Sequence, residues 1–133
     1  MKKYSIEEII EQYEKSGRII EETLLSGDYK TGNREGKKLI KFFKLFEQDR
    51  DLAEKCIDLL YKSNCTRVRT EAAAYSLSLG IDVPKAEAVL YEIGHDESLG
   101  IIGFGAEMTL KVWKKQGFLK MYPEQQIDAD YKD

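Results

Sequence analysis

Apolar side chains recur along this chain at intervals of three and four residues, and the runs are separated by single glycines or short polar turns. That period is the helical one. Ser5-Ile6-Glu7-Glu8 has the form of a capping box, with Ser5 placed to accept from the third helical amide and Glu8 placed to reach back. Ile6, Ile9, Ile10, Tyr13 and Ile20 follow at helical spacing, and the first helix is predicted to stop near Gly27. A second helix is predicted over 31–47, with Leu39, Ile40, Phe42, Phe43, Leu45 and Phe46 as its apolar set. Gly32 and Gly36 lie one turn apart near its start. They either delay the helix or let a neighbour approach closely, and the delay is the reading we expect.

The third helix is predicted over 51–62, with Leu52, Cys56, Ile57, Leu59 and Leu60 facing inward. Thr66 is the expected cap of a fourth over 67–79, and Gly80 stands where a C-terminal glycine belongs. Asp82, with Pro84 in the first turn, opens a fifth that ends near Gly94. Asp96 or Ser98 opens a sixth that ends at Gly117. Residues 118–122 are expected to dock back. From Pro123 onward the chain is polar and acidic and is expected to fray, so the reading is one domain over 1–122 and a flexible acidic tail over 123–133. That tail closes on Asp130-Tyr131-Lys132-Asp133, which matches the opening of a common epitope tag. Without a convincing hairpin signal anywhere, the predicted fold class is all-α, with about six helices.

Two of the predicted hairpins repeat. A shift of 33 residues overlays 51–79 on 84–116 without a gap. Ala53 meets Ala86, Ile57 meets Leu90 and Leu60 meets Ile93; in the second helix of each pair Val68 meets Ile101, Ala73 meets Ala106 and Leu77 meets Leu110. Cys56 with Val89 and Ala72 with Gly105 complete the register. A helix-turn-helix period of this length implies a short α-solenoid, in which each hairpin buries its apolar face against the next. The segment before residue 48 fits the register poorly, as terminal repeats often do. The predicted core includes Leu52, Cys56, Leu60, Val68, Ala72, Leu79, Val89, Ile93, Ile101 and Leu110.

Val68-Arg69-Thr70-Glu71-Ala72-Ala73-Ala74-Tyr75-Ser76-Leu77 resembles the second helix of a HEAT repeat, with its Val-Arg, paired alanines and later leucine; the second copy lacks the arginine. Residues 36–122 resemble a family of small bacterial helical proteins of uncharacterised domain type. The stretches that carry this are Lys37-Lys38-Leu39-Ile40, Val68 to Ala74, Lys85-Ala86-Glu87, and Met108-Thr109-Leu110-Lys111-Val112-Trp113-Lys114. The resemblance implies a HEAT-like fold. It also implies, through members that are immunity proteins, a partner in the form of a cognate toxin delivered by competing bacteria.

Composition narrows the alternatives. The 133 residues are 42% hydrophobic and 34% charged with two prolines, which excludes disordered and collagen-like classes. Two cysteines cannot make a disulfide scaffold. The longest apolar stretch, the eight residues from Leu99 to Ala106, is too short to cross a bilayer, and Glu7 and Glu8 interrupt any signal core, so a cytosolic location and no membrane partner are expected. The net charge of −3 makes no global case for nucleic acid. Charge is nonetheless uneven: residues 29–46 carry Lys30, Arg34, Lys37, Lys38, Lys41 and Lys44 against Glu35 alone. A solvated helix face explains such a run, and so does a site for phosphate or an acidic partner.

Chemistry is thin. His95 stands alone beside Asp96 and Glu97, and reads as a solvated residue at a helix C-terminus rather than a general base. Cys56 falls on an apolar stripe; Cys65 sits in a turn with no histidine near in sequence to activate it. Gly100, Gly103 and Gly105 lack the order, the preceding strand and the lysine of a phosphate loop, and read as close helix packing. Trp113 shares a face with Leu110 and reads as a core-closing residue. The sequence predicts no catalytic residue, no metal ligand and no cofactor.

A binding surface remains. In the fourth helix Val68, Ala72, Tyr75, Ser76 and Leu79 are the inward set, which leaves Arg67, Glu71, Ala74 and Ser78 outward. The repeat shift places Gly100, Phe104, Glu107 and Lys111 beside them, on a predicted concave face. Partner-binding candidates are therefore Arg67, Glu71, Phe104, Glu107 and Lys111, with Phe104 either an exposed anchor or packed under the flanking turn. The expected function is a non-enzymatic protein-binding module, in its sharp form an immunity protein. Its partner would be a toxin, of which a nuclease with a basic cleft would be met by Glu71 and Glu107, or by Glu7, Glu8, Glu11 and Glu14. The alternative is a nucleic-acid-binding or scaffold protein with a basic stripe of Arg34, Lys38, Lys41, Arg67 and Lys111.

Overall fold

A computed structural model describes residues 3–127 and contains six α-helices and one 3₁₀ turn, with no strand among those residues. The helices are α1 (Ile6–Ser26), α2 (Tyr29–Gln48), α3 (Arg50–Tyr61), α4 (Thr66–Leu79), α5 (Val83–Gly94) and α6 (Ile101–Gln116). The all-α class and the six-helix order agree with the sequence reading. Asp130 to Asp133 lie outside the described residues.

Local chemistry explains most boundaries. The Ser5–Glu8 capping box forms in both directions, at 3.1 and 2.9 Å. Gly27, Gly80 and Gly117 end α1, α4 and α6 in the left-handed region, at φ 83°, 70° and 80°. Three starts differ from expectation. Neither Asp96 nor Ser98 opens α6: Asp96 accepts from the Ser98 amide at 3.0 Å and caps the 3₁₀ turn Glu97–Leu99, and α6 begins at Ile101 after Gly100, with no side-chain cap. Asp28 caps α2 through the Thr31 amide, so the helix begins at Tyr29 and runs through Gly32. Gly32 does not delay it: a Cβ there would lie 2.5 Å from Thr23 Oγ1, so the glycine lets α1 come close. Thr66 is not the cap of α4. Cys65 holds the N-cap position without a side-chain bond, and Glu21 of α1 accepts from the Arg67 amide at 2.7 Å instead. The opening of α4 is thus capped across the tertiary fold, by a carboxylate where the helix dipole favours one.

Helix α4 organises the packing and touches α1, α3, α5 and α6. Val68, Ala72 and Tyr75 belong to a first core with Ile9 and Tyr13 of α1, Phe42, Phe43 and Phe46 of α2, and Cys56 and Leu60 of α3. Ala73, Ala74 and Leu77 belong to a second core with Ala86 and Leu90 of α5, Ala106 and Leu110 of α6, and Leu119. The first core is aromatic-rich: Tyr75 packs against Phe43 at 4.8 Å between ring centroids, and its hydroxyl accepts from Tyr13 at 2.9 Å. Arg69 pins the α3–α4 turn by donating to the Ser63 carbonyl at 2.8 Å, and Arg50 donates to the carbonyls of Leu79 and Gly80, both at 3.1 Å.

The repeat register holds in burial at Ala53/Ala86, Ile57/Leu90, Leu60/Ile93, Ala73/Ala106 and Leu77/Leu110, all of them buried. It fails at Val68/Ile101, where Val68 is buried in the first core and Ile101 is 53% exposed, at Ala72/Gly105, where Ala72 is buried and Gly105 exposed, and at Cys56/Val89, where Cys56 is buried and Val89 only half-buried. Leu52, Leu79 and Val89 of the predicted core are only half-buried, and Leu59, expected to face inward, is exposed.

After Gly117 the chain returns across the helices as a strap. Leu119 is buried in the second core, Met121 packs against both cores, and the Tyr122 hydroxyl donates to Glu47 Oε1 at 2.6 Å. That carboxylate pushes the Tyr122 phenol up to about 12. Residues 123–127 stay against the domain, where Gln125 is buried, accepts from the Met121 amide and donates to Ser78 at 3.3 Å; beyond them the expected acidic tail lies outside the described residues.

Small residues at the helix contacts make volume the sensitive variable. Ala73→Leu or Ala106→Leu should overpack the second core and lose about 1–3 kcal/mol in urea unfolding. Gly17→Ala should also destabilise, since its Cβ would meet Val68 Cγ2 at 2.6 Å, whereas Gly36→Ala, with nothing within 4 Å, should stabilise by roughly 1 kcal/mol. Equal effects from the two glycine changes would contradict this packing.

Candidate functional site

The predicted binding residues are resolved into separate places. Arg67 and Glu71, one turn apart on α4, form an ion pair at 3.2 Å through Nε and Nη2. Glu107 and Lys111, spaced alike on α6, pair at 3.0 Å. The two pairs do not share one concave stripe. Across the groove from Arg67 and Glu71, α6 presents Gly105, Met108, Thr109 and Val112. Glu107 instead lies against α5, where a Cβ on Gly94 would sit 3.0 Å from its Cα. Ala74 is buried and Ser78 donates to the Leu119 carbonyl at 3.4 Å, so the strap covers half of the predicted outward stripe of α4. The repeat shift matched positions in sequence, but it took no account of the strap beside α4 or of the exposed face of α6.

Phe104 is 55% exposed, which settles its alternatives in favour of the exposed side chain. It is not alone. Ile101, Phe104, Met108 and Val112 follow at i, i+3, i+7 and i+11 on one face of α6, each 40–55% exposed. This apolar stripe is about 16 Å long at the helical rise. Ile101 is expected in the core and Met108 and Val112 are not among the predicted binding residues; the helical spacing shows that they share a face, and the structure shows that this face is exposed.

Basic charge is ordered differently from the proposed stripe. Lys38, Arg67 and Lys111 of that stripe are each paired with a carboxylate, at 2.8, 3.2 and 3.0 Å. The unpaired cations collect on α2, where Lys30, Arg34, Lys37, Lys41 and Lys44 recur at i, i+4, i+7, i+11 and i+14. None of the five forms an ion pair among the described residues. Lys41 lies 4.9 Å from the Tyr4 ring and Lys44 lies 4.7 Å from that of Tyr122. Glu35, the single acid of the block, is turned inward: its carboxylate accepts from Ser16 at 3.1 Å and from Lys38 at 2.8 Å. The Lys38 contact, then the Ser16 hydroxyl, holds Glu35 below its ordinary range against the opposing effect of burial.

The acids on α1 are partly committed as well. Glu14 pairs with Arg18 at 3.3 Å and accepts from Ser63, and Glu8 closes the capping box. His95 is exposed, stacked on Tyr91 at 3.9 Å and joined through Nδ1 to the Tyr91 carbonyl at 2.9 Å. Cys56 is buried and its thiol is pushed up to about 11. Burial also raises the Cys65 thiol, which donates to Glu21 at 3.3 Å. Trp113 packs on the second core and donates to Glu87 at 2.9 Å. No group of three or more His, Cys, Asp or Glu is placed to hold a metal ion, and no helix is long and apolar enough to cross a membrane, among the described residues.

Two open clefts border the Arg67–Glu71 pair. One, of about 440 Å³, is the α4–α6 groove; the other, of about 660 Å³, lies between α1, α2 and α4. Lys120 and Met121 of the strap line both, so strap and ion pair together form the divide. No protein-family model, no curated protein and no solved structure matches this chain.

The inward carboxylate gives a pH signature. Glu35 has a lower pKa in the folded chain than its ordinary 4.5, so its contribution to stability is present above pH 4.5 and is lost as pH falls through the folded value. Glu35→Gln should therefore be less stable than the parent at neutral pH, with the gap narrowing below pH 4.5. A gap that stays constant from neutral to strongly acid pH in thermal unfolding would contradict the clasp.

Proposed function

We propose that this chain is a short HEAT-like solenoid that works as a non-enzymatic protein-binding module, and that its partner is a cognate bacterial toxin which it neutralises by direct contact. The observation that carries the binding role is the stripe of Ile101, Phe104, Met108 and Val112, left 40–55% exposed on the terminal helix. A row of aliphatic side chains around one aromatic, rimmed by the Glu107–Lys111 pair, has the make-up of an interface centre with a polar border. The repeat pairs buried in both hairpins support the solenoid reading. The toxin as partner rests on the family resemblance carried by Val68 to Ala74 and Met108 to Lys114.

The anchor is apolar rather than acidic. Glu71 is only 15% exposed at its side chain and is matched by Arg67, and Glu107 is matched by Lys111, so neither offers an unpaired carboxylate to a basic cleft. A partner docked on α6 would bury Phe104 and leave both pairs at the rim, where they set orientation more than affinity.

The reading requires a toxin domain encoded beside this chain, and the test is co-expression with that domain. The parent chain should restore growth and travel with the toxin on a sizing column. Phe104→Asp should keep the helical circular dichroism spectrum of the parent, weaken the complex by roughly 30-fold or more and abolish protection. Reversing Glu71 and Glu107 to Lys should matter less. Continued toxicity with no complex would reject the neutraliser role. Protection that survives Phe104→Asp would reject this surface.

A further inference from the structure

The 660 Å³ cleft between α1, α2 and α4 plays no part in the reading above. Its origin lies in α2. Gly32, Gly36, Leu39 and Phe43 follow at i, i+4, i+7 and i+11 on one helix face and all line the cleft. The first two bring no side chain. At Gly32 the space is taken by Thr23, but a Cβ on Gly36 would meet nothing within 4 Å. The inner face of α2 is therefore filled by Leu39 and Phe43 toward its C-terminal end, by Thr23 at Gly32, and hollow at Gly36.

What surrounds the hollow is amphipathic. Ile20, Leu39, Ile40, Phe43, Tyr75 and Met121 give it an apolar floor. Leu24 and Tyr29 stand at its edge 36% and 69% exposed, apolar surface left in water. The charged groups that line it are Lys37, Lys120, Arg67 and Glu71. Arg67 and Glu71 cancel at 3.2 Å, while Lys37 and Lys120 form no ion pair among the described residues. The lining thus carries an excess of positive charge in a chain whose net charge is −3.

We infer that this cleft binds an amphipathic carboxylate, its hydrocarbon body against the accessible Leu24, Tyr29, Ile40 and Met121 side chains above the buried Ile20–Leu39–Phe43 part of the floor, and its head group at the Lys37 and Lys120 ammoniums. The volume lies within the range of small-molecule sites, and such sites pair an apolar lining with a few placed polar groups. Charge selects among apolar ligands. A carboxylate gains the two lysines, a neutral chain gains only the apolar contacts, and an ammonium meets repulsion. Met121 ties the site to the strap, so an occupied cleft presses on the segment that divides it from the α4–α6 groove.

Octanoate is the probe, with 1-octanol as its uncharged counterpart, titrated into the uniformly ¹⁵N-labelled full chain and followed by amide shifts. Octanoate should give saturable shifts at Leu24, Gly32, Gly36 and Met121, and 1-octanol should bind at least about tenfold more weakly. Lys37→Glu with Lys120→Glu should weaken octanoate about tenfold and leave 1-octanol unchanged. Gly36→Leu should fill the hollow and abolish both, and its folding is checked by thermal unfolding; the lysine variant keeps the test decisive if that one is unstable. Phe104→Asp should bind octanoate as the parent does, so the toxin-binding reading and this one fail separately. Binding of 1-octanol as tight as octanoate, shifts centred on Ile101 to Val112 instead, or no saturation up to about 10 mM would each overturn the proposal.

Discussion

The structure depends on α4 being buried on two opposite sides. Ala72, Ala73, Ala74, Tyr75, Ser76 and Leu77 are six consecutive buried residues, more than an amphipathic surface helix allows. A helix in that position must be narrow, and the three alanines and Ser76 make it so. Val68, Ala72 and Tyr75 close the aromatic core against α1, α2 and α3, while Ala73, Ala74 and Leu77 close the aliphatic one against α5 and α6. Polar atoms that such a helix takes inside are answered locally: Ser76 donates to the Ala72 carbonyl at 3.0 Å and meets Tyr61 at 2.9 Å, and Tyr75 accepts from Tyr13. No buried side-chain nitrogen or oxygen among the described residues is left without a partner.

From that helix the two ends of the molecule take different characters. On its first-core side it packs against α1, with Gly17 of α1 in contact with Val68, and against the aromatic side chains of α2. Its second-core side is followed by α5 and α6, and among the described residues α6 keeps an apolar face of Ile101, Phe104, Met108 and Val112 that is 40–55% exposed. The proposed protein contact uses that exposed face. The proposed ligand cleft uses a different defect, a stretch of α2 where glycine replaces the side chain that would fill the space.

Charge follows the same geometry. Glu35 is drawn inward to Ser16 and Lys38, which leaves the outer face of α2 basic. Arg67 and Glu71, and Glu107 and Lys111, neutralise each other within their own helices. Lys30, Arg34, Lys37, Lys41 and Lys44 thus form a run of cations on α2 in a chain whose net charge is −3.

Helix number, order and most ends were legible in the sequence, because periodicity, the Ser5–Glu8 box and the terminal glycines act over one or two turns of chain. The internal repeat was legible too, and it identified the buried pairs Ala73/Ala106 and Leu77/Leu110. The exposed state of Phe104, the cap that Glu21 supplies to α4, the role of Gly32 and the strap over Ala74 and Ser78 were not. Each depends on which element lies beside a helix face. Sequence spacing says which residues share a face, but whether that face meets a helix, a strap or water is decided by packing between segments far apart in the chain. For that reason the repeat shift found equivalent positions on α4 and α6, and only the tertiary structure showed that one helix is enclosed and the other is open.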